Sequence, residues 1–197
     1  MGHAPENTIA SFQKALDLAC DEVETDVWLT QDGRLLVSHD RPTAKTSLSL
    51  DEVLDFCRGR MAVNVELKSD KDEARARETG AAVAARLAAR GRGDFYISSF
   101  WWSALEGARS AAPAVRRAFL LSDSPDRAAL LASAKAQGLW ALHPERMYVT
   151  QELIKAAHGA SLRVNTWTVN DAKEIATFRN WSVDGIMSDF PERVPKD

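Results

Sequence analysis

The chain has 197 residues, of which 45% are hydrophobic and 27% charged, and its formal net charge is −3. Residues 1–197 are enough to bury a sizeable core as a single domain, since α/β barrels run past the usual domain size without dividing. The charge balance excludes the basic stripe expected of a nucleic-acid binder. Without such a stripe an anionic ligand must be held by a local site, and no apolar run reaches the roughly 18 residues of a membrane span.

Pro5 suits the turn into a first helix that Asn7 or Thr8 can cap, with Ile9, Phe12, Leu16 and Ala19 at helical spacing. A strand over residues 22–29, the turn "QDG" and the run "RLLVSHD" read as a hairpin that brings His39 back beside the first strand. Then follow a capped helix over 49–57, the strand "MAVNVELK" and a long Ala/Arg-rich helix over 71–90 ended by Gly91. After the strand "DFYISSF" the alternation continues with helices over 102–112, 126–137, 150–158 and 171–180. The last two are read as capped by Thr150 and Asn170, and the strands between and after them are "VRRAFLL", "LWALHP", "RVNTWTV" and "VDGIMSDF".

This order, α(βα)6β, has a βαβ rhythm that implies a parallel sheet. A (β/α)8 barrel needs one more strand before residue 7, and "MGHAPE" is too short and too Pro-interrupted to supply it. The expected fold is α/β, of the (β/α)8 TIM-barrel type with its first strand missing. An open doubly wound sheet is the alternative, disfavoured because no Gly-rich phosphate loop follows any strand. Bare edges on the first and last strands predict dimerisation or strand exchange through "VETDVWL" and "VDGIMSD", or lowered stability. Cys20 and Cys57 lie in apolar helical patterns without CxxC spacing, which reads as buried thiols in a reducing compartment. With no basic segment or apolar signal core at the N-terminus, the expected location is cytoplasmic.

Strand side chains alternate, so if Val23, Thr25 and Val27 share one face, Glu22, Glu24, Asp26 and Trp28 share the other. In "AVNVELK" the polar set Asn64, Glu66 and Lys68 alternates with Val63, Val65 and Leu67. Barrel active sites lie at the C-terminal ends of strands, and Glu24, Asp26, Glu66 and Lys68 lie at or near such ends on consecutive strands. Three acids stay ionised together only with a compensating cation, and carboxylate oxygens suit Mg²⁺ or Ca²⁺ better than Zn²⁺. Lys68 would face an anionic substrate, and His39 can exchange a proton near neutral pH, a set that suits phosphate-ester chemistry. The plainer alternatives are a solvated edge strand for Glu24 and Asp26, a turn role for His39 and Asp189, and cap or turn roles for Glu6 and Asn7. Trp101, Trp102, Trp140 and Trp181 read as packing residues.

The blocks "APENTIASFQKAL", "DEVETDVWLTQDGRLLVSHD", "NVELK", "VNTWTVND" and "VDGIMSDFP", in this order, resemble the landmarks of the glycerophosphodiester phosphodiesterases over about residues 4–193. The resemblance implies a TIM barrel that cleaves small phosphodiesters derived from phospholipid headgroups, with Ca²⁺ or Mg²⁺ as cofactor. Glu24, Asp26 and Glu66 match the metal-binding carboxylates, His39 the second of two catalytic histidines, Lys68 the phosphate-contacting lysine, and Trp167 an aromatic wall at the mouth. Two departures stand out: the family's opening strand ending in His-Arg is not here, and His3 is too close to Pro5 to replace it. The link from His39 to the next helix is also short where many relatives insert a subdomain. The expected function is therefore metal-dependent hydrolysis of glycerophosphodiesters, impaired if the chain is truncated. A non-catalytic phosphate-binding barrel and a phospholipase D-type lyase are the alternatives.

Overall fold

In the computed structural model the structure describes residues 2–91 and 94–195, which form two compact units, the first covering residues 3–116 and the second running from Arg117 onward together with Gly2.

The first unit opens with α1 (Ile9–Asp17), capped by Thr8, whose hydroxyl accepts the Ser11 N–H. It continues through β1 (Glu22–Leu29), β2 (Leu35–Val37), α2 (Leu50–Cys57), β3 (Ala62–Leu67), α3 (Glu73–Ala89), β4 (Phe95–Ser99) and α4 (Trp102–Ala111). The expected hairpin is present: β2 runs antiparallel to β1, with Val27 opposite Val37. On its other side β1 is parallel to β3, and β3 to β4, in a register that sets Glu24 beside Asn64, Asp26 beside Glu66, and Glu66 beside Ser98. Val23, Thr25, Val27, Val63, Val65 and Leu67 are all buried, and on the opposite face Asp26 and Asn64 are buried too while Glu24 is exposed. Ser49 and Glu52 form a reciprocal capping box at α2, which buries Leu50, Val53, Leu54 and Cys57, each apolar side chain contributing roughly 1.5–3 kcal/mol. Helices α3 and α4 cross so closely that a Cβ on Gly80 would stand 1.9 Å from the Ala104 carbonyl oxygen, so glycine is required there.

The second unit carries all of β5 (Arg116–Leu121) after its first residue, then α5 (Arg127–Gln137), β6 (Ala141–Pro144), α6 (Gln151–Gly159), β7 (Arg163–Thr166), α7 (Ala172–Asn180) and β8 (Gly185–Ile186). The pairs β5–β6, β6–β7 and β7–β8 are all parallel. Thr150 caps α6 as expected, but α7 is capped by Asp171, whose carboxylate accepts the N–H groups of Lys173 and Glu174. Asn170 is occupied elsewhere, its amide accepting from Ser188 and Asp189 and donating to the Asp189 carboxylate. The same contacts tie down the chain after β8, which is shorter than the eight residues the sequence suggests.

Among the described residues there are seven α-helices and seven strands in parallel pairings, plus the hairpin strand β2, and none of the residues before Ile9 forms a strand. No described helix is long and apolar enough to cross a membrane.

Candidate active site

The register of β1 and β3 decides the site. Parallel pairing puts Asp26 level with Glu66 and Glu24 one step below, and their carboxylate oxygens lie within 4.8 Å of one another. Lys68, just past the end of β3, folds back across them. Its Nζ donates to Asp26 Oδ1 at 2.9 Å and to Glu66 Oε1 at 2.5 Å. Asp26 is buried, Glu66 half-buried, and Glu24 keeps an open face toward solvent.

Their electrostatics follow from crowding. The protein packed around the Glu24 carboxyl, and then the charges of Asp26 and Glu66, raise it well above the ordinary carboxylate range. Burial raises Glu66 as well, against the pull of Lys68. Burial alone would discharge Lys68, but Glu66 and Asp26 outweigh it and hold the ammonium above its usual value. One lysine cannot offset all three acids once they ionise, so their ionisation favours a further positive charge. All the donors are oxygens, the ligands that Mg²⁺ and Ca²⁺ take, and level with Glu24 and Glu66 on the neighbouring strands the buried amide of Asn64 and hydroxyl of Ser98 have no hydrogen-bond partner. The residues therefore fit a hard divalent cation.

His39 stands on the loop after β2 with its side chain 58% exposed, and its Nδ1 is 3.2 Å from Asp40 Oδ1. Trp28, on the polar face of β1, holds that loop by donating its indole N–H to the Ser38 carbonyl at 3.1 Å. Beyond Lys68 a cleft of about 480 Å³ opens, lined among others by Trp28, Arg41, Lys68 and Asp70. Arg41 pairs with Asp70 at 3.1 Å, and Arg75 is committed to the carbonyls of Leu29 and Thr30, so Lys68 is the cation that borders both cleft and carboxylates. The structure thus gathers Glu24, Asp26, Glu66 and Lys68, with His39 on the adjoining loop. Trp167 belongs to the second unit, where its indole N–H donates to the His143 carbonyl at 2.7 Å. The sequence reading missed Trp28 as the anchor of the His39 loop, although its place on the polar face of β1 was the available signal. It also read Asn7 as a turn or cap residue, whereas the Asn7 amide bonds to Asp26.

Residues 1–58 and 42–193 match the family described as the glycerophosphoryl diester phosphodiesterase family. The chain belongs to that family. Its class is accordingly that of the phosphoric diester hydrolases. A glycerophosphodiester phosphodiesterase of Bacillus altitudinis is 27% identical, with 99% of this chain and 93% of the relative covered, and one of Caldanaerobacter subterraneus is also 27% identical, with 98% and 91% covered. The first alignment spans 241 positions, more than this chain's length, so that relative has residues inside the matched span that this chain lacks. Among solved structures, a candidate glycerophosphoryl diester phosphodiesterase of Silicibacter pomeroyi superposes with a TM-score of 0.85 at 27% identity, covering 98% of this chain and 88% of that one. A phosphodiesterase of Oleispira antarctica in complex with the product sn-glycerol-3-phosphate has a TM-score of 0.86 at 24% identity, covering 98% and 91%. The fold is thus the family's α/β TIM-barrel type.

Proposed function

We propose that this chain hydrolyses glycerophosphodiesters to glycerol phosphate and an alcohol at the cluster of Glu24, Asp26, Glu66, Lys68 and His39. The observation that carries the reading is the convergence of three carboxylates within 4.8 Å under one lysine, in a member of a phosphodiesterase family. The product sn-glycerol-3-phosphate held by the Oleispira antarctica relative supports the same substrate class.

Glu24, Asp26 and Glu66 would hold Mg²⁺ or Ca²⁺. A divalent cation so held supplies Lewis-acid polarisation of the phosphodiester. Lys68 brings its ammonium to the phosphate from the cleft side. As the oxygen of water joins phosphorus, giving up one proton to solvent, and the bond to the departing alcohol breaks, His39 delivers a proton to the alkoxide and regains one from solvent, which reaches its exposed ring. Positioned proton transfer of this kind contributes roughly 10²- to 10⁴-fold. For Trp167 the resemblance alone supports a substrate-facing role. The reading takes residues 1–197 as one domain of the family, and the family match over both units supports this. A cytoplasmic setting suits Cys57, a buried free thiol. Pairing of copies along the edges of β1 and β8 belongs to the same proposal, and β2, which already covers β1 over residues 27–29, confines it there to the first half of that strand.

Phosphorus NMR of glycerophosphocholine incubated with the protein and Ca²⁺ or Mg²⁺ is the test. The expected product is sn-glycerol 3-phosphate, with turnover lost in excess chelator; undiminished turnover in chelator would sink the metal reading. A cyclic phosphate product would replace hydrolysis by the lyase reading, and tight binding without turnover by the binding barrel.

A further inference from the structure

Asn7, in the segment before α1, hydrogen-bonds directly to one of the carboxylates. Asn7 has φ +54°, in the left-handed region that asparagine tolerates better than most residues. From that conformation its amide makes three hydrogen bonds to one strand. Oδ1 accepts the Thr25 hydroxyl at 2.8 Å and the backbone N–H of Asp26 at 3.1 Å, while Nδ2 donates to Asp26 Oδ2 at 2.8 Å. A backbone N–H can only donate, so the amide oxygen must face it and the NH₂ group must face the carboxylate.

Capping does not account for this arrangement. Thr8 is the cap of α1, and it makes reciprocal bonds with Ser11. The two oxygens of Asp26 are also divided, because Oδ2 is held by Asn7 whereas Oδ1 meets Lys68 at 2.9 Å on the side of Glu66. A free carboxylate rotates about its last torsion with a broad, roughly two-fold profile. The Asn7 amide removes that freedom.

We infer that Asn7 is a positioning residue of the carboxylate cluster: it locks the Asp26 carboxylate in one orientation, commits Oδ1 to the cation side, and thereby sets the affinity of the site for a divalent cation. This rests on the metal reading of the preceding section. Partners that orient a ligand from behind typically change metal affinity by about 10- to 100-fold when removed.

Asn7→Gly tests it, because glycine adopts the left-handed turn without penalty while all three side-chain bonds disappear. The protein and the variant are titrated calorimetrically with Ca²⁺ and, separately, Mg²⁺, and their metal-free melting temperatures are compared. Expected is a 10- to 100-fold weaker Kd in the variant, beyond any change in metal-free stability. In the background of Asp26→Ala, Asn7→Gly is expected to add nothing, since it acts through that carboxylate. A Kd within twofold of the parent overturns the inference and leaves the metal reading standing; no heat from either ion with the parent protein overturns both. A crystal structure of the parent soaked in Ca²⁺ decides the matter without a variant. Asp26 Oδ1 on the ion with Asn7 still on Oδ2 supports the inference, and Oδ2 on the ion with the Asn7 bond broken overturns it.

Discussion

Each unit of this chain carries polar side chains inward on neighbouring parallel strands, and burial acts on the two groups in opposite directions. On β1 and β3, Glu24 and Glu66 are pushed toward keeping their protons, because crowded acids resist ionising together even with Lys68 beside them. On β6 and β7, His143 is pushed toward losing its proton, down to about 3, because its fully buried ring resists charging. Its Nε2 instead lies 3.2 Å from the Asn165 amide nitrogen, a contact that a neutral imidazole accepts. One cluster is held in tension that an added cation would relieve, and in the other burial itself favours the neutral form. A buried titratable group therefore signals chemistry when neighbouring charges oppose one another, and structure when a neutral partner suffices.

The sharpest way to break that contrast is Glu66→Gln, which removes a carboxylate of the charged cluster while keeping its shape. Turnover of glycerophosphocholine is expected to fall by about 10³-fold, since cation stabilisation is worth several kcal/mol and each 1.36 kcal/mol is tenfold in rate. A variant with near-normal rates would remove Glu66 from the machinery. Next in size is Lys68→Met. Without the lysine, Asp26 and Glu66 are left buried without their cation, at a cost to metal-free stability of about 3 kcal/mol, visible as a lower melting temperature. Excess Ca²⁺ or Mg²⁺ is expected to recover most of the loss, and a melting temperature indifferent to both substitution and ion would count against the charge account.

The smallest effect is on the pH dependence of metal-free stability, where the two clusters have opposite signs. His143 stays neutral in the folded chain while the unfolded chain takes up a proton below pH 6.5, so its contribution is intact above 6.5 and is lost as pH falls toward 3. Glu24 and Glu66 hold protons in the folded chain above the 4.5 at which the unfolded chain releases them, so they lower stability as pH rises from 4.5 through their raised values. His143→Gln should flatten the acid limb of a denaturant-midpoint profile by up to about 1.4 kcal/mol per pH unit. Glu24→Gln should flatten the opposite limb. An unchanged acid limb in His143→Gln would show that the ring does charge in the folded state.

Much of the site was legible because strands alternate with period two. That rule alone put Glu24 and Asp26 on one face and Asn64 and Glu66 on another, and the βαβ rhythm made the two strands neighbours. What alternation cannot supply is register, and it was the pairing of Asp26 with Glu66 that turned two acidic strands into one cluster. Lys68 was anticipated as a phosphate contact; its reach across two carboxylates depends on a chain direction set after the strand ends.

Residue 170, and residue 7 in part, show where local reading falls short: for α1 the sequence offers Asn7 or Thr8 as cap, and Thr8 is the one used. Asparagine before a helix is ordinarily a cap, and short-range propensity favours that role in both places. Thr8 and Asp171 cap instead, and each asparagine turns its amide to a strand or loop 18 or 19 residues away. Propensity measures what a side chain does with its own backbone, so it is blind to a partner brought near only by folding. The sequence by itself determined the order of helices and strands, the faces of β1 and β3 and the acid–lysine set, because these follow from periodicity and residue chemistry over a few neighbouring positions. Only the tertiary structure decided which carboxylates touch, which oxygen of Asp26 is spoken for and which polar groups are buried neutral, because those depend on distances between residues far apart in the chain.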